Sequence, residues 1–248
     1  MTSFKDLHRP GDPLLLPNAW DVASAAALVR AGFSAIGTTS LGVAAAAGKR
    51  DAAGGAWEET LALAQRLARL DCFVTVDMEH GFADEPGEVA ELAAQLGNLA
   101  GINLEDRHGD PAHHAAVIAA VKQRVPGLFV NARTDTHWLR EGEVDDAIAR
   151  CRAYVAAGAD GVFVPGLPER DIKTVVDAVA APLNVLFTPG TTLARLAAQG
   201  VARVSTGSLL FRASLHAAVT TAVAARDGAD LAQLDVPGYA AVDALAAE

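Results

Sequence analysis

Acidic side chains recur where apolar runs end in the middle of the chain. Residues 73–77 run into Asp77-Met78-Glu79-His80-Gly81, 101–104 into Glu105-Asp106-Arg107, and 128–132 into Arg133-Thr134-Asp135. On a strand, Asp77 and Glu79 are two residues apart and share a face. Glu105 is expected at the equivalent height on the neighbouring strand. Three carboxylates aimed into one mouth repel one another strongly without a counter-charge. A hard divalent cation meets that need, and Mg2+ keeps several waters, so few direct protein ligands suffice; Mn2+ is the alternative ion. Asp77, Glu79 and Glu105 are therefore the candidate metal ligands. The competing expectation is that each acid caps a following helix or pairs with an arginine.

Arg133 has the planar, permanently charged fork that suits a carboxylate or a developing oxyanion. Its competing role is an ion pair with Glu105 or Asp135. The stretch Thr39-Ser40-Leu41-Gly42 is read as a turn whose hydroxyls and consecutive backbone N–H groups could cradle a carboxylate. His80, His108, His113 and His114 fall near the same rim. Their loop and helix positions predict solvent exposure rather than a transition-metal site. Cys72 and Cys151 read as core residues, and two distant cysteines exclude a disulfide scaffold or a cysteine-rich zinc site. The chain contains no Gly-x-Ser-x-Gly, P-loop or His-Glu-x-x-His arrangement, so serine hydrolase, P-loop kinase and zincin chemistry lack support.

These residues need a frame that brings several strand ends together. Short apolar runs at 14–17, 35–39, 73–77, 101–104, 128–132, 161–164, 184–187 and 202–206 read as eight strands. Helical patterns lie between them, at 21–31, 56–70, 86–99, 111–124, 143–157, 169–180, 191–198 and 208–226, and a ninth at 238–247 closes the chain. Alternation of this kind demands parallel strands with helical crossovers. Three segments repeat one helix-to-strand step: LVRAGFSAIGTT, YVAAGADGVFVP and LAAQGVARVSTG. Their glycines, Gly32, Gly158 and Gly200, suit a left-handed cap after a helix. Eight steps in 248 residues predict a (β/α)8 barrel with an extra C-terminal helix, as one domain over residues 1–248. In such a barrel chemistry sits at the C-terminal strand ends, where the polar residues above cluster.

Composition narrows the partners. The chain has 30 acidic and 20 basic residues, a formal net charge of −10, and 54 alanines. An acidic surface without a basic stripe argues against nucleic acid. The longest uncharged stretch, 31–48, is broken by Gly, Ser and Thr and reads as a buried strand plus a small-residue loop rather than a membrane span. Cysteine usage and the absence of an apolar leader predict a cytoplasmic setting.

The order and spacing of PNAWDVASAAALVRAGFSAIGTTSLGVAAAAGKRD, VDMEHGF, GINLEDR, VNARTD, AGADGVFVPGL and GVARVSTGS resemble the isocitrate lyase/phosphoenolpyruvate mutase superfamily over about residues 14–215. The resemblance implies an α/β-barrel enzyme that binds Mg2+ and handles 2-oxo acids through an enolate-like intermediate. It also implies a homo-oligomer, a dimer or tetramer, in which a C-terminal helix packs on a neighbouring subunit. Asp77 matches the principal metal-binding aspartate, Glu79 a second acid that is usually shorter, and Glu105 the glutamate that holds metal-bound water. Arg133 matches the arginine on the substrate's oxygens, and Thr39, Ser40 and Leu41 the turn that grips its carboxylate. Asp51 falls where the family has a loop aspartate near the substrate, and Asn184 on a polar residue late in the barrel.

Two departures stand out. The loop Asp106-Arg107-His108-Gly109-Asp110-Pro111 lacks the lyases' cysteine and lysine, leaving His108 or Asp51 as the proton carrier. Pro165 replaces an acid or histidine after the sixth strand. The expectation is a Mg2+-dependent enzyme of the carbon–carbon lyase type, making or breaking a bond next to the carbonyl of a small 2-oxo acid. A carbon–phosphorus enzyme and a non-catalytic oxo-acid-binding homologue remain alternatives.

Overall fold

A computed structural model describes residues 2–247. The apolar runs become β1 (Leu14–Leu16), β2 (Asn18–Ala19), β3 (Ala35–Thr38), β4 (Phe73–Asp77), β5 (Gly101–Glu105), β6 (Phe129–Arg133), β7 (Gly161–Phe163), β8 (Leu183–Leu186) and β9 (Arg203–Ser205). All pair in parallel, in the order β1-β9-β8-β7-β6-β5-β4-β3-β2. β1 and β2 are halves of one stave separated by Pro17. The nine segments therefore make an eight-staved, nearly closed TIM-type barrel, as the alternation predicts.

The connecting helices are α1 (Val22–Arg30), α2 (Ser40–Ala46), α3 (Trp57–Leu67), α4 (Pro86–Gln95), α5 (Pro111–Arg124), α6 (Val144–Ala156), α7 (Glu169–Ala178), α8 (Leu193–Ala198), α9 (Leu209–Arg226) and α10 (Tyr239–Asp243). Local chemistry sets their ends. Asp21 accepts from the Ser24 N–H while the Ser24 hydroxyl accepts from the Asp21 N–H, a reciprocal cap on α1. Gly32, Gly158 and Gly200 stop their helices in the left-handed region, at φ 95°, 108° and 85°. α2 corrects the sequence reading, which made residues 39–42 a turn. Nothing in a run of small residues announces a helix by hydrophobic period.

The seam of the barrel is closed by a side chain. Pro17 has no N–H to give to a ladder. Asn18 takes over: its N–H donates to Thr206 Oγ1 (2.9 Å), and its Oδ1 accepts from the N–H groups of Thr206 (3.0 Å) and Gly207 (2.9 Å). Its Nδ2 donates to the Thr38 carbonyl (2.7 Å). Gly37 makes room for this, since a Cβ there would come within 2.7 Å of Asn18 Nδ2.

Aliphatic side chains between the staves and helices form two large buried clusters, one under α3, α4 and α5 and one under α6, α7 and α8. Phe4 plugs the bottom of the barrel against Phe73 and Phe129, and His8 stacks on Phe129 with ring centroids 4.3 Å apart. Higher inside, the core turns polar. Arg203 is fully buried and donates through Nη2 to Asn103 Oδ1 (3.3 Å), which also accepts from Asn131 Nδ2 (2.9 Å). Among the described residues no helix is long and apolar enough to cross a membrane.

Candidate active site at the C-terminal mouth of the barrel

Strand register fixes the heights of the polar side chains. Asp77 pairs with Asn103, and Asn103 with Asn131. Glu105 stands two residues further along, level with Arg133, and its N–H donates to the carbonyl of Glu79 (2.8 Å). Glu105 thus lies one pleat above Asp77, not beside it. Glu79 follows the end of β4 with a left-handed φ of 49°, so strand alternation does not place it. It is buried, its Oε2 accepts from the Gly54 N–H (3.2 Å), and its Oε1 has no partner among the described residues.

A cavity of about 120 Å3 opens between these strand ends. Asp51, Asp77, Glu105 and Arg133 are its charged lining, with Thr39, Ser40 and Leu41 along one side. The Ser40 N–H, at the start of α2, faces Asp77 Oδ2 (3.4 Å), and the Asp77 N–H donates to Thr38 Oγ1 (2.9 Å). Arg133 pairs through Nη1 with Glu105 Oε2 (2.7 Å) and through Nε with Asp135 Oδ1 (2.6 Å). Both of the ion pairs weighed in the sequence reading are present, and the guanidinium still lines the cavity. Aromatic rings flank it: Trp138 and Phe163 lie 6.0 and 5.9 Å from its central carbon.

Burial controls the charge states here. It pushes the carboxyls of Asp77, Glu79, Glu105 and Asp135 upward, and for all but Glu79 the Arg133 charge opposes it. Burial also works against the Arg133 cation, but Glu105, Asp135 and Asp77 outweigh it and hold the group charged. The shift at Glu105 is large, and neighbouring Asp77, Asp135 and Glu79 add to it. Perturbed acids crowded in a cleft mark a functional site.

The donor set, carboxylate oxygens including the orphaned Glu79 Oε1, suits a hard cation. Among the described residues no group of three or more His, Cys, Asp or Glu is disposed to hold a metal by itself. Mg2+ here would rest on few carboxylates, its other positions filled by water.

Several expected site residues, Glu79 among them, do not line the cavity. Gly42 faces the core: a Cβ there would meet Trp20 Cβ at 2.7 Å and Thr39 Cγ2 at 2.9 Å, so its role is close packing of α2. Asn184 is buried inside the barrel and does not line the cavity. His108 is drawn sideways, its ring nitrogens 3.2 Å from Glu141 Oε2 and 3.1 Å from Asp146 Oδ2. Asp146 and Glu141 raise its pKa despite burial. His114 is buried against Tyr154 rather than solvent-exposed, because α5 turns that face inward. Below the loop, Asp106 accepts from Tyr154 Oη (2.6 Å) and Arg150 Nη1 (3.1 Å) and from the N–H groups of His108 and Asp135. Those hydrogen bonds overcome burial and keep it below the usual carboxylate range.

The sequence reading missed Asn18, Asn103, Trp138, Phe163, Leu186 and Ser205, all of which line the cavity. Counting back two from Glu105 would have found Asn103 on the same face. Trp138 lies in an irregular loop and carries no periodic signal.

A parallel α/β barrel with clustered carboxylates and a guanidinium at its C-terminal mouth carries its polar groups where enzymes of this fold keep their active sites. The family model for phosphoenolpyruvate phosphomutase matches residues 4–226, and the chain belongs to that family. It is thereby an enzyme of the isocitrate lyase/phosphoenolpyruvate mutase superfamily. An uncharacterized protein of Mycobacterium tuberculosis is 49% identical over 235 residues, 92% of this chain and 91% of that protein. The 2-methylisocitrate lyase of Bacillus subtilis is 31% identical over 196 residues, 73% of this chain and 64% of that enzyme. The crystal structure of phosphonopyruvate hydrolase in complex with oxalate and Mg2+ has the same fold, with a TM-score of 0.83 at 22% identity over 96% of this chain and 91% of that one.

Proposed function

We propose that this chain is a Mg2+-dependent lyase that makes or breaks a carbon–carbon bond next to the carbonyl of a small 2-oxo acid. The observation that carries the reading is the Arg133 guanidinium, held by Glu105 and Asp135 at the edge of a cavity that Asp77 also lines. Family membership, the relationship to a 2-methylisocitrate lyase, and the shared fold with an oxalate- and Mg2+-bound enzyme support it.

Mg2+ on Asp77, Glu79 and Glu105 would supply Lewis-acid stabilisation of negative charge on the carbonyl oxygen. Thr39, Ser40 and Leu41 hold the substrate carboxylate and fix the direction of the carbonyl. In cleavage of a 4-hydroxy-2-oxo acid, Asp51 takes the hydroxyl proton. The bond between C3 and C4 breaks, and its electron pair stays on C3 as the enolate of the 2-oxo acid. The other fragment leaves as an aldehyde or ketone, and the enolate takes at C3 the proton that Asp51 then holds, which returns Asp51 to its starting state. Arg133, pre-positioned and charged, offsets the charge developing on the enolate oxygen. His108 holds the neighbouring loop through Glu141 and does not need to touch substrate.

Replacing the hydrogen-bonding acid tests the reading. Glu105→Gln should lower Mg2+ affinity and turnover together, each by tenfold or more. Product assays on 4-hydroxy-2-oxo acids, oxaloacetate, methylisocitrate and phosphonopyruvate separate carbon–carbon from carbon–phosphorus chemistry. Unchanged Mg2+ binding and turnover in the variant would remove the metal assignment. The same reading makes the protein a cytoplasmic homo-oligomer that packs through α9.

A further inference from the structure

Behind the mouth, one carboxylate ties together the end of β5, the loop after it, the end of β6 and helix α6. Asp106 directly follows Glu105, and its side chain is fully buried. Each of its oxygens has two donors. Oδ2 accepts from Tyr154 Oη (2.6 Å) and Arg150 Nη1 (3.1 Å), which lie one turn apart on α6. Oδ1 accepts from the N–H groups of His108 (2.8 Å) and Asp135 (3.0 Å). The main chain adds to this. The Asp106 N–H donates to the Arg133 carbonyl (3.1 Å), the Gly109 N–H donates to the Asp106 carbonyl (2.8 Å), and Arg150 Nη1 donates to the Gly109 carbonyl (2.9 Å). Within this loop Arg107 and His108 are left-handed, at φ 50° and 53°, a conformation that persists only where its surroundings over-determine it. None of Asp106, Arg150 and Tyr154 lines the mouth cavity.

We infer that Asp106, braced by Arg150 and Tyr154, is a positioning residue that aims the Arg133 guanidinium into the mouth. The inference rests on the 2-oxo acid reading above for the use made of Arg133, and adds a residue to it. Arg133 is gripped at two atoms, Nη1 by Glu105 Oε2 (2.7 Å) and Nε by Asp135 Oδ1 (2.6 Å). Asp106 fixes the backbone under both grips: Glu105 is its neighbour in the chain, and the Asp135 N–H donates to it. Its brace is independent of the mouth, because α6 is seated on the barrel wall through Ala147, Ile148 and Cys151. A buried carboxylate that loses a donor keeps its desolvation cost, so its remaining donors are drawn toward it. The Asp135 backbone moves with them, and the guanidinium turns. Thr39, Ser40 and Leu41 hold the substrate carboxylate separately, so the loss falls on the developing charge rather than on ground-state binding.

Tyr154→Phe and Asp106→Asn in the full chain test this. Tyr154→Phe keeps the ring that packs on His114 and removes a single donor. If Asp106→Asn fails to fold, Tyr154→Phe decides alone. The first readout needs no ligand. The Arg133 Nε–H resonance, assigned by its loss in Arg133→Lys, should exchange with solvent about tenfold faster in the variants than in wild type. The second is calorimetric titration of the Mg2+-loaded protein with oxalate, a flat mimic of the enolate, and with pyruvate. Oxalate affinity should fall about tenfold relative to pyruvate affinity, with Mg2+ affinity unchanged. On any 2-oxo acid that is turned over, Tyr154→Phe should lower kcat about tenfold and leave KM in place. Variants that melt at a lower temperature, yet keep the wild-type exchange rate at Arg133 and the wild-type ratio of oxalate to pyruvate affinity, would overturn the inference and leave Asp106 a merely structural residue. Wild-type protein that binds neither oxalate nor pyruvate with Mg2+ would remove the 2-oxo acid reading, while the exchange rate at Arg133 would still decide whether Asp106 aims the guanidinium.

Discussion

Gly42 shows how a residue near a site can matter without touching substrate. It was read as part of a carboxylate-gripping turn, yet its missing side chain lets α2 press on Trp20 and Phe211. A methyl group there must displace Trp20 or Thr39. Gly42→Ala is expected to lower stability by about 1–3 kcal/mol, the ordinary cost of overpacking, and to raise KM because Thr39 and Ser40 shift with it. Thermal unfolding and steady-state kinetics on one preparation check both; an unchanged melting temperature would contradict the packing role. At this scale the sequence announced residue types better than directions. Asp77, Glu105 and Arg133 were legible because strand ends in a barrel face its mouth. Glu79 was not, since its left-handed φ breaks the alternation that the reading assumed. His114 looked like a rim residue because the low amphipathicity of α5 hides which side turns inward.

Among the elements, the staves were the easiest to see. Their β-branched runs are short, bounded and separated by helical periods, and all eight fall where expected. α2 escaped because its sequence, SLGVAAA, is too short and too uniform to show a period. α9 raises a different question. Of its 18 residues only Phe211 is buried. Leu215, Val219 and Val223, spaced one turn apart on a single stripe, are 51%, 63% and 40% exposed. Such a stripe fits a helix that packs on another copy of the chain. Sedimentation velocity should therefore give a multiple of the 25.5 kDa chain mass. The double substitution Leu215→Glu and Val219→Glu should reduce it to one chain. A wild-type monomer at micromolar concentration would defeat this reading.

For the molecule as a whole, stability depends on pH through groups of opposite sign. Burial drives the pKa of His8 and His114 down to about 4, from an ordinary value near 6.5. At His8 the neighbouring Arg203 adds to burial. Below pH 6.5 the unfolded chain takes up protons that these folded imidazoles refuse, so their contribution falls as pH falls toward 4. The mouth carboxylates, shifted upward by burial, act in the other direction: folded, they hold protons that the unfolded chain has released. A comparison with a variant isolates the histidine. Relative to wild type, His8→Phe should gain about 1.5 kcal/mol of stability between pH 6.5 and pH 5, because the one-proton slope of about 1.4 kcal/mol per pH unit is reached only once the unfolded imidazole is fully protonated. Chemical denaturation at the two pH values measures it, and an identical difference at both would refute the buried-imidazole account. The barrel was legible in the sequence at this scale from the count of alternating elements. Its polar interior was not, because Arg203 and Asn184 each sit singly inside runs that read as ordinary apolar strands.

The aromatic plug beneath the barrel has a practical corollary. Phe4 is wedged against Phe73 and Phe129, which begin their strands at the end remote from the carboxylate-lined mouth. Anything fused ahead of Phe4, whether an affinity tag, a carrier or a surface linker, hangs from the underside. An immobilised preparation tethered there would present its opening to the bulk solution.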